Sequence, residues 1–256
     1  MAGEIITTIE GPVGVVRINR PESLNALNQP TLQRLATALQ RFDEDPQIRC
    51  LVLAGHERAF ANGIDAGDIA DNSLADVFHR HPLAALDDLD RLHKPLIAAV
   101  LGYAVGVGFE LVLASDLVIA AETARFGLNE VGLGILPGGG GTQRLTRRAG
   151  RAVTLDLLLT GRLLSAQQAA TLGLVSRVVP PENCEEEALA VARELSRRSP
   201  LAVEAAKRAV RAAEESPLSA GLAAERQLST LLFGTHDQKE GLRAFLEQRP
   251  PLFTGR

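Results

Sequence analysis

"GYAVGVGFELVLASDLVIAAE", residues 102–122, is the stretch on which the fold turns. The strand-type "PLIAAVLG" leads into it, a Gly-rich turn and the helix-forming "VGFELVLAS" follow, and after Asp116 the chain returns to a strand-type "LVIAAE". A strand that enters a helix through glycines and leaves it for another strand is a repeating unit of α/β architecture. Glu110 does not fit that apolar setting: between Lys94 and Asp116 it is the only charged residue. Burying a lone carboxylate is costly unless something compensates it. The helix is expected to begin at or near Val107, whose N–H then lacks an intrahelical acceptor and suits an oxygen that develops negative charge. Glu110 lies one helical turn on, so acid and donor share one end of the helix. A first-turn acid that merely complements the helix dipole is the plain alternative, and it leaves the apolar surroundings unexplained.

Outward from that stretch the same alternation continues. "EIITTIE" and "VGVVRIN" read as a hairpin turning at Gly11-Pro12. Pro30 opens a helix with Leu32, Leu35, Leu39 and Phe42 on its buried face, and "IRCLVLAG" is a buried strand. "HERAFANGID" is expected as a loop or tight turn, and residues 73–93 as a helix carrying Leu83, Leu86, Leu89 and Leu92. Past the central stretch, "ARFG" is strand-like, a helix opens near "GGGGTQRL", and helices are expected at 151–160 and 165–172, the second capped by Ser165. After the strand "LVSRVV" and Pro180-Pro181 the chain becomes almost wholly helix-forming to about Arg249, punctuated by Pro200, Pro217 and Gly234. The division expected is an α/β core over 1–195 and a helical region over 196–256.

Composition excludes several classes. With 256 residues and 46% hydrophobic content the chain can fill a sizeable core. A formal charge of -4, with scattered basic residues, offers no footprint for nucleic acid. The apolar run 95–115 is interrupted by Pro95, three glycines and Glu110, which argues against a membrane span. Cys50 and Cys184 match neither a metal-ligand spacing nor a disulfide framework, so a cytoplasmic, reducing compartment is expected. "GVGFEL" fails as a dinucleotide fingerprint because Leu111 stands at the third glycine and Glu110 would repel a pyrophosphate. "PGGGGT" lacks the Lys of a phosphate loop, and His79 and His81, without a partner cluster, read as surface residues.

Five stretches together resemble the crotonase, or enoyl-CoA hydratase/isomerase, superfamily: "RPESLNALN", "AFANGIDAGDI", "KPLIAAVLGYAVGVGFELVLASDLVIA", "ARFGLNEVGLGILPGGGGTQRL" and "GLVSRVV". They follow the family's order and spacing over essentially the full length. The resemblance implies a spiral of ββα turns with a C-terminal helical region for trimer assembly, and a hexamer made of two trimers. It also implies a thioester oxygen held by the N–H groups of Ile64 and Val107, with Glu110 activating water, Glu130 protonating the α-carbon and Gly138 helping to orient the water. Along the substrate, a trans-2-enoyl-CoA, it places Ser23, Leu24, Asn62, Gly63 and Asp65, with Phe245 and Arg249 of the last helix near the adenosine end. No metal is required, and coenzyme A enters only as the substrate's carrier. The rivals are an isomerase, which needs one carboxylate, and a non-catalytic acyl-CoA binder; retention of both glutamates speaks against each. Val107, Ile64, Asn62 and Leu128-Asn129 depart from the residues usual in the family, which bears on substrate range.

Overall fold

The five residues Leu96–Val100 are buried on both faces, as expected of a central strand in a covered parallel sheet. The computed structural model describes residues 3–79 and 81–256. Ten strands form two sheets: β1 (Ile5–Glu10), β2 (Val13–Ile18), β3 (Cys50–Ala54), β4 (Ala59–Asn62), β5 (Leu96–Val100), β6 (Tyr103–Val105), β7 (Leu117–Ala121), β8 (Arg125–Gly127), β9 (Leu164–Ser165) and β10 (Arg177–Val179). The larger sheet has the order β1-β2-β3-β5-β7-β10 and the smaller β4-β6-β8-β9. Among the described strands, only β1/β2 and β8/β9 pair antiparallel. Consecutive strands alternate between the sheets, β3 then β4, β5 then β6, β7 then β8, so each turn of the chain adds one parallel strand to each sheet. That is a spiral.

The helices are α1 (Gln29–Glu44), α2 (Ala66–Ile69), α3 (Leu74–His79), α4 (Val107–Ala114), α5 (Gly141–Ala149), α6 (Arg151–Thr160), α7 (Ala166–Thr171), α8 (Cys184–Leu195), α9 (Pro200–Glu215), α10 (Leu218–Leu232) and α11 (His236–Leu246). Asn28 caps α1, accepting from the Thr31 N–H, and Pro30 sits in its first turn. Ser165 and Gln168 close a reciprocal capping box on α7.

The larger sheet sorts its side chains by parity. Leu51, Leu53, Leu96, Ala98 and Val100 enter the main core, while Cys50, Val52, Ala54, Ile97 and Ala99 pack with Ala188, Leu189 and Ala192 of α8. Cys50 and Cys184 are free and buried. α4 is enclosed from Val107 to Leu113, which accounts for its apolar circumference.

Three expectations fail locally. "HERAFANGID" contains β4, whose ladder hydrogen bonds come from β6 more than forty residues away, a partnership that local residue preference does not display. The Gly-rich turn into α4 contains β6, and the two-residue β9 is too short to read. The single helix over 73–93 is instead α3 followed by a 3-10 helix at Ala84–Arg91; Pro82, which cannot donate, falls in the break. The leucines at 83, 86, 89 and 92 recur every three residues, the period of a 3-10 helix rather than of an α-helix. Arg80, within that expected helix, lies outside the described residues, as do residues 1 and 2.

Candidate active site

Gly106, at φ 55 and ψ -127, joins β6 to α4 in a backbone conformation that side chains disfavour. A Cβ there would lie 2.9 Å from Glu130 Oε1 and 3.2 Å from the Cα of Gly63, so three separated segments meet at this glycine. Gly108 seats the helix: a Cβ on it would stand 2.0 Å from the Ala61 carbonyl of β4.

Two N–H groups face away from the regular ladders at this meeting point. Val107 is the first residue of α4, and its N–H has no acceptor within the helix; the preceding Gly106 N–H is spent on Gly127 O at 2.9 Å. Ile64 forms a parallel bridge with Leu27, in which the Leu27 N–H donates to Gly63 O at 2.8 Å and the Asp65 N–H to Leu27 O at 2.9 Å. The bridge uses the polar atoms flanking Ile64 and turns its own N–H to the opposite side. Neither Ile64 nor Val107 has positive φ, so both branched side chains are accommodated without backbone strain.

Glu110 is 1% exposed. Its Oε1 accepts from the Gly139 N–H at 2.8 Å and the Gly141 N–H at 2.7 Å, so it caps the N-terminus of α5, a helix other than its own. Oε2 is buried without a partner. Burial raises the pKa of Glu110 above the usual range, opposed by the two glycine N–H groups and by the charges of Arg144 and His81. Glu130 opens a 3-10 helix at Glu130–Leu133 and is 5% exposed, with both carboxylate oxygens buried and lacking a donor in hydrogen-bond geometry. Burial pushes it up to about 7; its own N–H and that of Asn129 are near enough to offset part of this, and the charge of Glu110 adds to it. Two N–H bonds favour the ionised form of Glu110, while Glu130, without a donor in hydrogen-bond geometry, has less to favour its ionised form.

The 20–28 loop is stitched to this centre. Asn25, at φ 58, donates to the Ile18, Ala59 and Phe60 carbonyls and accepts from the Arg20 N–H. Ser23 bonds back to Arg20 O, and Leu24 stands beside it at φ 52. Asp65 caps α2 and pairs with Arg20 at 3.2 Å, and Asn62 is exposed at the end of β4. Gly138 lies against His81: a Cβ on it would be 2.9 Å from the ring. Phe245 is 78% exposed on α11, and Arg249 is held by Glu240 and Glu247 of its own segment, so these two are not tied to the cluster.

Glu110, Glu130, Ile64, Val107, Gly63 and Gly138 are therefore tied to one centre, with Ser23, Leu24, Asn62 and Asp65 on the segments beside it. The sequence reading missed Asn25, Gly139, Gly141 and Arg144, and placed His81 on an indifferent surface; the ring is exposed but borders the Gly138 turn. The available signal was the glycine run at 138–141 ahead of a helix, a source of free N–H groups for a carboxylate that needs them.

Residues 8–256 match the family model described as enoyl-CoA hydratase/isomerase, and the chain belongs to that family. It is 47% identical over 244 residues to a probable enoyl-CoA hydratase of Mycobacterium tuberculosis, covering 95% of each chain. It is 46% identical over 253 residues to the 2,3-dehydroadipyl-CoA hydratase of Escherichia coli, covering 99% of each. Among solved structures, an enoyl-CoA hydratase subunit from Geobacillus kaustophilus superposes with TM-score 0.97 at 42% identity, covering 99% of both chains. No described helix is long and apolar enough to cross a membrane.

Proposed function

We propose that this chain adds water across the double bond of a trans-2-enoyl-CoA to give the 3-hydroxyacyl-CoA. The observation that carries the reading is the pair of buried carboxylates with unpartnered oxygens beside two outward backbone N–H groups. Hydratases at 46–47% identity over nearly the whole chain support it.

In the proposed cycle Glu110 Oε2 takes a proton from water as the water oxygen bonds to the β-carbon. The π electrons move onto the thioester oxygen, where the N–H groups of Ile64 and Val107 stabilise the enolate. The enolate re-forms its carbonyl as the α-carbon takes a proton from Glu130. The division follows from the environments: the carboxylate with two N–H donors starts ionised and the one without starts protonated. The chemistry consists of two proton transfers and oxyanion stabilisation, so no metal or redox cofactor is needed, and coenzyme A is part of the substrate. Ser23, Leu24, Asn62, Gly63 and Asp65 would line the substrate and Gly138 the water; Phe245 and Arg249 would reach the adenosine end only across an assembly, since neither is joined to this chain's own cluster. A trimer, or a hexamer of two trimers, in the cytoplasm completes the proposal, with residues 196–256 as its assembly region.

Glu110→Gln and Glu130→Gln should each lower kcat for hydration at least about a hundredfold. Val107→Pro removes a backbone donor at a position where proline fits a first helical turn, and should lose about a hundredfold, whereas Val107→Ala loses much less. Near-parent rates in either glutamine variant, with folding verified by circular dichroism, would sink the assignment.

A further inference from the structure

The capping of α5 by Glu110 depends on the shape of the Gly138–Gly141 turn, and one side chain holds that turn from behind. Arg144 Nη1 donates to Gly139 O at 2.7 Å, while its Nη2 donates to Asp90 Oδ2 at 2.6 Å. Gly139 is thus fixed at both polar atoms, its carbonyl by Arg144 and its N–H by Glu110 Oε1. No side chain separates the guanidinium from the turn: a Cβ on Gly140, which has φ 99, would stand 2.0 Å from Nη1. On the opposite side Gly139 is close-packed, since a Cβ there would meet Leu86 Cδ1 at 2.3 Å and Glu110 Oε2 at 2.9 Å. The Arg144 side chain is 20% exposed and its guanidinium is held by two acceptors, so its charge is incompletely screened.

Resting on the hydratase reading, we infer that Arg144, oriented by Asp90, is a positioning residue: it sets the glycine turn that binds Glu110 Oε1 and so aims the free Oε2 at the reacting water. Arg144 touches neither substrate nor water in this scheme. A planar fork matches the two acceptors, the Gly139 carbonyl and the Asp90 carboxylate, at once; an ammonium serves one of them well. The charged groups that face Glu110 are Arg144 from α5, His81 from the turn before the 3-10 helix and Glu130 from its own 3-10 helix, with Asp90 offsetting part of the charge of Arg144. Loss of Arg144 therefore loosens the aim of Glu110 and withdraws a positive charge that favours its ionised form.

The test is steady-state hydration of trans-2-butenoyl-CoA between pH 5 and 9 with Arg144→Met, Arg144→Lys and Asp90→Asn, after circular dichroism and melting show each protein folded. Arg144→Met should lower kcat about tenfold to a hundredfold with a much smaller change in KM. The acid limb of its kcat/KM profile should move to higher pH. Arg144→Lys, which keeps the charge and loses the fork, should hold the parent's acid limb while kcat stays below the parent's. Asp90→Asn should lower kcat and move the acid limb the other way, to lower pH, and it decides the matter if Arg144→Met does not fold. A folded Arg144→Met with the parent's kcat, or one that loses kcat with an unmoved acid limb, overturns the inference. So do parent values of both in Asp90→Asn. Glu110→Gln in the same assay separates the two layers: if it stays active, the hydratase assignment of Glu110 fails whatever Arg144 does, and if it is dead while Arg144→Met matches the parent, only this inference fails.

Discussion

The spiral body and the C-terminal helices use similar residues to opposite ends. In the body, apolar residues find partners within the chain: Phe60, Phe109 and Phe126 are fully buried, and α4 is enclosed along nearly its whole length. In the tail, α9 and α10 bury no residue, and Val210, Leu218, Leu222, Leu231, Phe233, Leu242, Phe245 and Leu246 are exposed. Another exposed apolar run, Val131, Leu133, Ile135 and Leu136, follows directly on Glu130. A single chain rarely leaves so many large apolar side chains in water, so under the proposed assembly the tail's amphipathic faces and the 131–136 run are the surfaces that further copies of the chain would cover. The contrast teaches that an apolar helical pattern specifies burial without naming the partner: within the chain for α4 and, under the proposed assembly, between copies for the tail.

The sharpest way to break the body's half of that contrast is Gly108→Ala. The added Cβ would stand 2.0 Å from a backbone oxygen of β4, so α4 must shift and carry Val107 and Glu110 with it. We expect hydration to fall about a hundredfold or more together with a lowered melting temperature, because displacement of about 1 Å suffices for such losses. Parent-like activity would mean that the contact between α4 and β4 does not set the site. Less drastic is the tail: Leu222→Glu combined with Phe233→Glu in the full-length chain should abolish the proposed trimer in analytical ultracentrifugation while far-ultraviolet circular dichroism stays unchanged. Persistence of the trimer would place the interface elsewhere.

The smallest effect concerns burial without a partner inside the body. Glu130 has its pKa raised to about 7 in the folded protein against 4.5 ordinarily, so between those values the folded state binds more protons than the unfolded one. Its contribution to stability is therefore fully present below pH 4.5 and is lost as pH rises through 7. Glu130→Gln, which has no charge to bury, should match the parent's melting temperature near pH 4 and exceed it increasingly up to pH 8. An advantage that is flat across pH would show that Glu130 is not buried as a charge.

Much of this was legible in the chain, for reasons that differ by element. Helices with strong caps and a 3.6-residue period, α1 and α7, carry their own start signals, and α4 was placed by its glycines. β4 and β6 were not legible, because three- and four-residue strands owe their existence to each other across the spiral. The same limit applied to the site. Glu110 stood out as a lone charge in an apolar run, whereas Gly139, Gly141 and Arg144 became visible only once α5 was folded against α4. A donor and its acceptor twenty-nine residues apart leave no periodicity in the sequence. His81 is exposed, as expected of a surface residue; its contact with Gly138 is one of tertiary structure that the sequence does not display.

The two cysteines have a practical consequence. Cys50 lies on β3 beneath α8 and Cys184 opens α8 itself, their thiols directed at the carbonyls of Pro95 and Ile119 respectively, and burial pushes them up to about 12 and about 11. Only a thiolate reacts with alkylating reagents at a useful rate, so the native protein should be inert toward maleimides at neutral pH, which mass spectrometry after labelling would check. A single cysteine placed at an exposed position outside the proposed contacts, such as Ile9 or Leu159, would take a fluorophore alone, giving a distance reporter between copies without prior removal of the native thiols. Conversely, alkylation of Cys184 in the unaltered protein can proceed only after α8 lifts from the sheet, which makes the rate of thiol labelling a clock for that opening.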